Sequence, residues 1–358
     1  MVIIIDAETV SPFPPAATVS SFPRSGNKFG MTRVILNSFQ DLRSNMSILC
    51  KSLLAGTAAV FLWCAVWSSA NAQVGVFNKQ DLLDYTPLYK GERFADGRPK
   101  VPDAILDRMK DVSIEEAWSV LRKYGFNDQF EGNWTINIPS PNLVGRAVTG
   151  VFMPLRPDVN DVIKARGEKE KRIGAQNSWI IDTLVKRDVL VVDLFGKIVG
   201  GTYAGDNLSN SIKTKTGTGI IIDGACRDLR GINEIADFPV FVRGWDPSFL
   251  VDVMLMGINS PIRIGRATVM PGDVVLANAE GVIFIPAHLA EEVVETSELI
   301  RYRDDFGHQR LREGKYTPGQ IDSRWSEPIE RDFDTWLKEK GKKLTPWQIE
   351  QLKKTRTW

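Results

Sequence analysis

The sequence is short of the residues that build metal cages and disulfide scaffolds. Its 358 residues include three cysteines and two histidines, too few for a zinc ribbon, a cysteine-rich scaffold or a histidine-rich metal site. It also lacks a charge bias, because 45 Lys and Arg stand against 44 Asp and Glu, for a formal net charge of +1. No global field therefore favours nucleic acid or an anionic membrane as a partner. No GxGxxG opens a helix, and Gly200-Gly201 and Gly217-x-Gly219 read as turn glycines, which excludes the dinucleotide fingerprint. What is present is an ordinary globular balance, 43% hydrophobic and 25% charged, incompatible with a collagenous or wholly disordered chain. At about 150 residues per domain, the length predicts one or two domains plus extensions.

Leu53–Trp67 is a fifteen-residue apolar stretch without a charge. It follows Arg43 and Lys51 and leads into Ser68-Ser69-Ala70-Asn71-Ala72. A basic stretch, an apolar stretch and an Ala-x-Ala ending are the parts of a secretory signal, here spanning 46–72 with cleavage after Ala72. The run is shorter than the ~18–20 residues that cross a bilayer. Cys64 is not placed for lipidation and no Arg-Arg pair precedes the run. Residues 1–45 read as a mis-called leader ahead of a start at Met46. They put the apolar run far from the terminus, and Val34–Arg43 resembles a translated repeat found upstream of many bacterial reading frames. The expected location is periplasmic or secreted, with no membrane association after cleavage. Cys226 is then the sole cysteine, so no internal disulfide forms.

Beyond the signal, 73–97 is a polar arm rich in turn formers and 98–305 carries an α/β pattern. Val112-Ser113-Ile-Glu-Glu116 contains a capping box and predicts a helix to about Tyr124. Helical pattern recurs over Asp161–Lys171, Ser178–Lys186 and Ala290–Tyr302. Short apolar runs at Leu143–Phe152, Val189–Leu194, Lys197–Tyr203, Gly219–Asp223, Pro239–Val242 and Val282–Ile285 predict buried strands. The arm at 306–358 is charged and carries Trp325, Trp336, Trp347 and Trp358 as expected packing anchors, with Pro328, Gly341 and Pro346 interrupting any long helix.

The chemistry-bearing segment lies between Gly200 and Asp228. A strand is expected to end near Tyr203, a turn to follow at Ala204–Asn207, and a helix to run from about Leu208 to Thr216. The next strand, from Ile220, delivers Gly224-Ala225-Cys226 and then Arg227-Asp228 before another helix. Asp206 and Asp228 would both sit where a strand hands over to a helix, the edge on which α/β folds build sites. Two functions are open to them: capping their helices, or sharing a divalent cation, with Arg227 supplying a directional cationic contact to a bound anion.

Asp206, twenty intervening residues, then Arg227-Asp228 resembles the D-x20-R-D pattern of class II pyruvate aldolases. The likeness is to the 4-hydroxy-4-methyl-2-oxoglutarate aldolase family, which shares its fold with the RraA regulators of ribonuclease E. Supporting stretches are Leu143-Val-Gly-Arg-Ala-Val-Thr149, Val189-Leu-Val-Val-Asp193, Gly219-Ile-Ile-Ile-Asp-Gly224, Phe238-Pro-Val-Phe-Val242, Val269-Met-Pro-Gly-Asp-Val-Val-Leu276 and Gly281-Val-Ile-Phe-Ile-Pro286. They run in consistent order over about 110–300. The resemblance implies an α/β fold, a swivelling β/β/α domain of the phosphohistidine-domain type, assembled as trimers or hexamers with sites at subunit interfaces. It implies that Asp228 ligates Mg²⁺ or Mn²⁺, that Asp206 holds the ion through water, and that Arg227 contacts the substrate carboxylate and the developing enolate. The amides of Gly205, Asp206, Asn207 and Leu208 would cradle a small 2-oxo acid. An acid from a neighbouring subunit completes such sites, and Glu291, Glu292, Glu295 and Glu298 are the candidates. The implied activity is cleavage of 4-hydroxy-2-oxo acids to pyruvate, with oxaloacetate decarboxylation beside it.

Four features depart from the family pattern. The region before Val189 is longer and more charged, the arm after 308 is extra, Asn278-Ala279-Glu280 stands where an acidic pair is common, and an export signal is present. They keep a second class open, a non-catalytic oligomeric binding or regulatory protein of the same fold. Elsewhere, Cys226 is expected to be a small buried residue, His288 and His308 to lack a ligating role, and Lys164–Arg172 to form a solvated helix face. Export predicts a processed chain beginning at Gln73 in the extracytoplasmic fraction. N-terminal sequencing of fractionated cells checks this, and an uncleaved cytoplasmic product would contradict it.

Overall fold

The computed structural model describes residues 78–356. The expected leader and signal, residues 1–72, lie outside the described residues, as do 73–77, Thr357 and Trp358. The described chain opens with α1 (Lys79–Tyr85), α2 (Asp103–Met109) and α3 (Ile114–Lys123), then β1 (Phe130–Glu131), β2 (Thr135–Ile136) and β3 (Leu143–Pro154). There follow α4 (Pro157–Lys169), α5 (Gln176–Ile181), β4 (Asp188–Thr202), α6 (Asp206–Thr216), β5 (Ile220–Cys226), α7 (Leu229–Asn233) and β6 (Val240–Trp245). Then come β7 (Val253–Ile258), β8 (Ile262–Ile264), β9 (Ala267–Val269), β10 (Val274–Asn278) and β11 (Gly281–Ile285). Four helices close the chain: α8 (Ala290–Arg312), α9 (Pro318–Ile321), α10 (Glu327–Glu339) and α11 (Pro346–Thr355).

The architecture is the expected mixed α/β type. Its nine-stranded sheet runs β1-β11-β10-β3-β4-β5-β6-β2, with β7 paired to β3. The central β3-β4-β5-β6 pairs are parallel and the flanking pairs antiparallel. Alternation along β4 decides what covers each face. Leu190 and Val192 join a core with Ile180, Ile212 and Ile232 of the helices. Val189 and Val191 face the β8–β9 hairpin, whose Ile262, Ile264 and Val269 fill the other side. Opposite sides of the sheet order are tied by an ion pair, in which Arg243 of β6, the strand next to the end, reaches Glu131 of the end strand β1 at 3.0 Å. The Arg243 guanidinium also lies 3.9 Å from the Trp134 ring centroid.

Several expectations meet their residues and several are extended. The capping box at Ser113 forms with Glu116 and starts α3. The two runs at 189–194 and 197–203 belong to one strand, β4, which bulges outward between them. From Asp193 to Thr202 it leaves the register of β5, whose partners advance only from Asp223 to Ala225. Phe195 and Gly196 turn this bulge with φ of 45° and 72°. The helix expected over Ala290–Tyr302 continues to Arg312, because Phe306 is buried against Phe333 and Trp336 of α10 and Leu352 of α11. Pro328 and Pro346 occupy first-turn positions of α10 and α11, where proline starts helices instead of interrupting them. Strands β1, β2, β7, β8, β9 and β10 have no counterpart among the expected strands.

The segment before α2 is held to the sheet by buried charge. Arg98, 2% exposed, reaches Asp96 at 2.8 Å and the fully buried Asp188 at 3.3 Å. Its guanidinium also lies over the Phe94 ring at 4.6 Å. Removing one partner of a buried pair leaves an uncompensated charge. Arg98→Ala is therefore expected to cost about 3–5 kcal/mol, read as a lower denaturant midpoint. A change no larger than that of an exposed Arg→Ala control would contradict the burial argument.

Candidate functional site

The site forms at the carboxyl ends of parallel strands β4 and β5. The two strand ends are stitched together by main-chain bonds: Tyr203 N–H donates to Ala225 O at 2.9 Å and Arg227 N–H to Ala204 O at 3.1 Å. Asn177 of α5 fixes the β4 side, its amide donating to Tyr203 O at 2.8 Å while the Tyr203 hydroxyl donates to Asn177 O at 2.9 Å. Gly205 then caps α6. A Cβ on Gly205 would overlap the Asp228 carboxylate and approach Arg227 Nε to 3.0 Å, so this position needs glycine for close approach. Gly231 has the same relation to the other acid, since a Cβ there would meet Asp206 Oδ2 at 2.7 Å.

Asp228 is not spent on capping, and Asp206 spends one carboxylate oxygen on a first-turn amide of α6. Asp228 stands at the N-cap of α7, yet its side chain makes no capping bond. It adopts a left-handed backbone, φ 58° and ψ 40°, a conformation with a cost for a non-glycine residue and one that clusters at functional sites. Asp206 is the first residue inside α6, two residues earlier than the expected helix start. Its Oδ1 accepts from Asn207 N–H at 2.7 Å. Arg227 Nε donates to Asp228 Oδ2 at 3.2 Å, with the two side chains 33% and 45% exposed. An ion pair this exposed contributes at most ~1 kcal/mol to stability, so stability does not account for the arrangement.

Asp206, Asn207, Leu208, Gly205, Arg227 and Asp228 all line one cavity of about 280 Å³. Every residue singled out in the sequence as a site candidate on this segment is brought together there. Asn177, Phe249 and Leu250 join them. These three carry no motif signal, because their place in the wall comes from long-range contacts. Phe249 lies beneath Arg227, with the guanidinium carbon 4.9 Å from the ring centroid.

The donor set is oxygen. Among the described residues no group of three His, Cys, Asp or Glu gathers as a cation site. Two carboxylates with room for water and a chelating ligand suit a hard cation that keeps several waters, as Mg²⁺ does. The glycine-backed seat of Asp228 keeps that carboxylate at the cavity. The four glutamates of α8 divide. Glu295 and Glu298 bind Arg108 at 2.9 and 2.6 Å, and Glu292 binds Lys123 at 2.9 Å and the Tyr124 hydroxyl at 2.8 Å. Glu291 is exposed. Cys226 is fully buried, and burial pushes its thiol up to about 12, which leaves it unreactive. His288 lines a separate cavity of about 480 Å³, and His308 is exposed on α8.

Comparison with known proteins agrees with the geometry. The family model RraA-like, Aldolase/RraA, matches residues 100–284, a span that contains Asp206, Arg227 and Asp228. A protein of Halalkalibacterium halodurans, provisionally named 4-hydroxy-4-methyl-2-oxoglutarate aldolase, is 32% identical over 123 residues, 34% of this chain and 57% of that protein. Protein DlpA of Legionella pneumophila is 32% identical over 126 residues, 35% of this chain and 20% of that protein. The chain thus spans little more than half the length of the first relative and a fifth of the second. Among solved structures, RraAS2 of Streptomyces coelicolor, described as an unusual member of the RNase ES inhibitor RraA protein family, is 25% identical. It aligns with a TM-score of 0.51 over 59% of this chain and 100% of its own. Motif order, strand arrangement and the matched span lead to one conclusion: the chain belongs to the RraA-like family of aldolases and RraA proteins.

Proposed function

We propose that this protein is a divalent-metal-dependent carbon–carbon lyase that cleaves 4-hydroxy-2-oxo acids to pyruvate, with oxaloacetate decarboxylation as a companion activity. The observation that carries the reading is the convergence of Asp206, Arg227 and Asp228 on one cavity, with the Asp228 carboxylate free of capping and Asp206 giving only Oδ1 to a first-turn amide. The provisional name of the Halalkalibacterium relative supports the same chemistry.

In this reading Asp228 would hold Mg²⁺ or Mn²⁺ directly, with Asp206 holding it through water. When bound, the cation would supply an electron sink for the developing enolate. Arg227 binds the substrate carboxylate and adds positive charge where the enolate develops. The amides of Gly205, Asp206 and Leu208, at the start of the eleven-residue α6, orient the keto-acid end, while the Asn207 N–H is taken by Asp206 Oδ1. Asp206 takes the C4 hydroxyl proton through a water; the O–H pair forms the C4 carbonyl of the released aldehyde or ketone, and the C3–C4 bonding pair passes to the pyruvate enolate. The same proton returns to the enolate carbon, which completes pyruvate. Decarboxylation of oxaloacetate reaches the same enolate, so one anion-stabilising site serves both.

Assembly and location belong to the proposal too. Phe195, Ile198 and Val199 of the β4 bulge are exposed apolar residues, as is Val251, whose N–H bonds Gly200 O at 3.0 Å and so lies beside the bulge. Exposed apolar patches of this kind support association, here with further copies of the chain as trimer or hexamer. Export through the signal at 46–72 is supported by the Leu53–Trp67 run and its Ala-x-Ala ending.

The substitutions separate the roles. Asp228→Ala is expected to remove Mg²⁺ binding and pyruvate release together. Arg227→Lys keeps the charge but loses the planar fork, at an expected cost of roughly 2.7–4 kcal/mol, a hundred- to thousand-fold in rate. Asp206→Asn is expected to slow turnover while leaving weakened metal binding. Calorimetric Mg²⁺ titration and a coupled pyruvate assay over a panel of 2-oxo acids, oxaloacetate included, check all three. Wild type that binds Mg²⁺ yet releases no pyruvate from any of them would overturn the lyase reading in favour of a binding or regulatory protein.

A further inference from the structure

We propose that Phe249 is a positioning residue that sets the plane of the Arg227 guanidinium, and so selects ligands presenting a carboxylate edge-on to it. The inference rests on the lyase reading for the identity of the anion, but the contact itself does not depend on that reading. Phe249 is 69% exposed, so core burial does not explain an aromatic ring at this place. Its ring centroid lies 4.9 Å from the guanidinium carbon of Arg227, within cation–π range, and both residues line the 280 Å³ cavity.

The loop that carries Phe249 is fixed on both sides. Ser248 N–H donates to Asp246 Oδ1 at 2.9 Å, and Gly200 N–H donates to Ser248 Oγ at 2.7 Å. On the other side Val251 N–H donates to Gly200 O at 3.0 Å, and Gly201 and Leu250 form an isolated bridge. The ring is thus tied to β4, the strand that leads into Gly205 and Asp206. Arg227 is correspondingly held at two points, its guanidinium carbon over the ring and its Nε on Asp228 Oδ2 at 3.2 Å. Among the described residues no hydrogen bond engages its two terminal nitrogens. A planar guanidinium held this way offers those nitrogens as a fork, the geometry that receives a carboxylate by two parallel bonds.

Oxalate, a planar mimic of the pyruvate enolate, tests the proposal on the full processed chain with Mg²⁺. Phe249→Leu keeps apolar bulk and removes the π face, whereas Phe249→Tyr keeps the face. Calorimetry is expected to give a Kd for oxalate roughly two- to fivefold higher in Phe249→Leu and unchanged in Phe249→Tyr. In the pyruvate assay Phe249→Leu is expected to raise KM more than it lowers kcat. In an Arg227→Lys background the Phe249→Leu effect is expected to vanish. Phenylglyoxal modification of Arg227, followed by peptide mass, gives a readout that needs no activity, and Phe249→Leu is expected to accelerate it. If wild type neither binds oxalate nor releases pyruvate while that acceleration is seen, the lyase reading falls and the positioning contact stands. If Phe249→Leu leaves both oxalate affinity and Arg227 modification at wild-type values, or if its effect persists in Arg227→Lys, the positioning role is overturned.

Discussion

Parallel pairing between β4 and β5 is the constraint on which the candidate site depends. Because the strands run side by side, their carboxyl ends deliver Gly205-Asp206 and Arg227-Asp228 to the same edge, and two main-chain bonds across the gap hold them at one height. The bulge in β4 allows this. Without the outward excursion after Asp193, the chain would carry Tyr203 and Gly205 well past the end of β5, and Asp206 would not share a cavity with Asp228. Glycine at 205 and 231 then removes the side-chain volume that would push either carboxylate away.

The second organising feature is the way polar contacts at buried positions lock the start of the described chain to the sheet and its last helix to α8. Arg98 secures the segment before α2 to Asp188, and Arg146 of β3 bonds Val101 O at 2.8 Å and the Asp103 carboxylate. At the other end Glu295 of α8 accepts from Thr345, while its main-chain oxygen accepts from Gln348 at 3.0 Å, which docks α11 on α8. Glu295 and Glu298 are also the partners of Arg108 on α2. In the proposed oligomer, acids occupied in this way within their own chain are poorly placed to serve a neighbour's site, whereas Glu291 of α8 is exposed.

Much of the site was legible because its signals are local. A β-branched run ending in Gly-Ala-Cys marks β5, and a carboxylate just beyond a strand end is recognisable from neighbouring residues alone. The capping box of α3 is equally local. What escaped depends on contacts distant in sequence. Phe249 enters the wall only because its loop bonds to Gly200, and Asn177 only because it grips Tyr203. The β4 bulge read as a gap between two strands, since Phe195-Gly196 looks the same in a turn and in an excursion. The last helices were obscured for another physical reason. Proline ends a helix from within but begins one from its first turn, and only the burial of Phe306, Phe333 and Trp336 against each other decides which applies.

The central claim is that this edge stabilises the enolate of pyruvate. It is tested most directly by proton exchange at the methyl group of pyruvate in D₂O with Mg²⁺, followed by ¹H NMR, because exchange requires the enolate and no cleavable substrate. The account predicts deuterium incorporation by wild type well above the metal-only rate and its loss in Asp228→Ala. Exchange by wild type no faster than with Mg²⁺ alone, in protein that binds the ion, would contradict it.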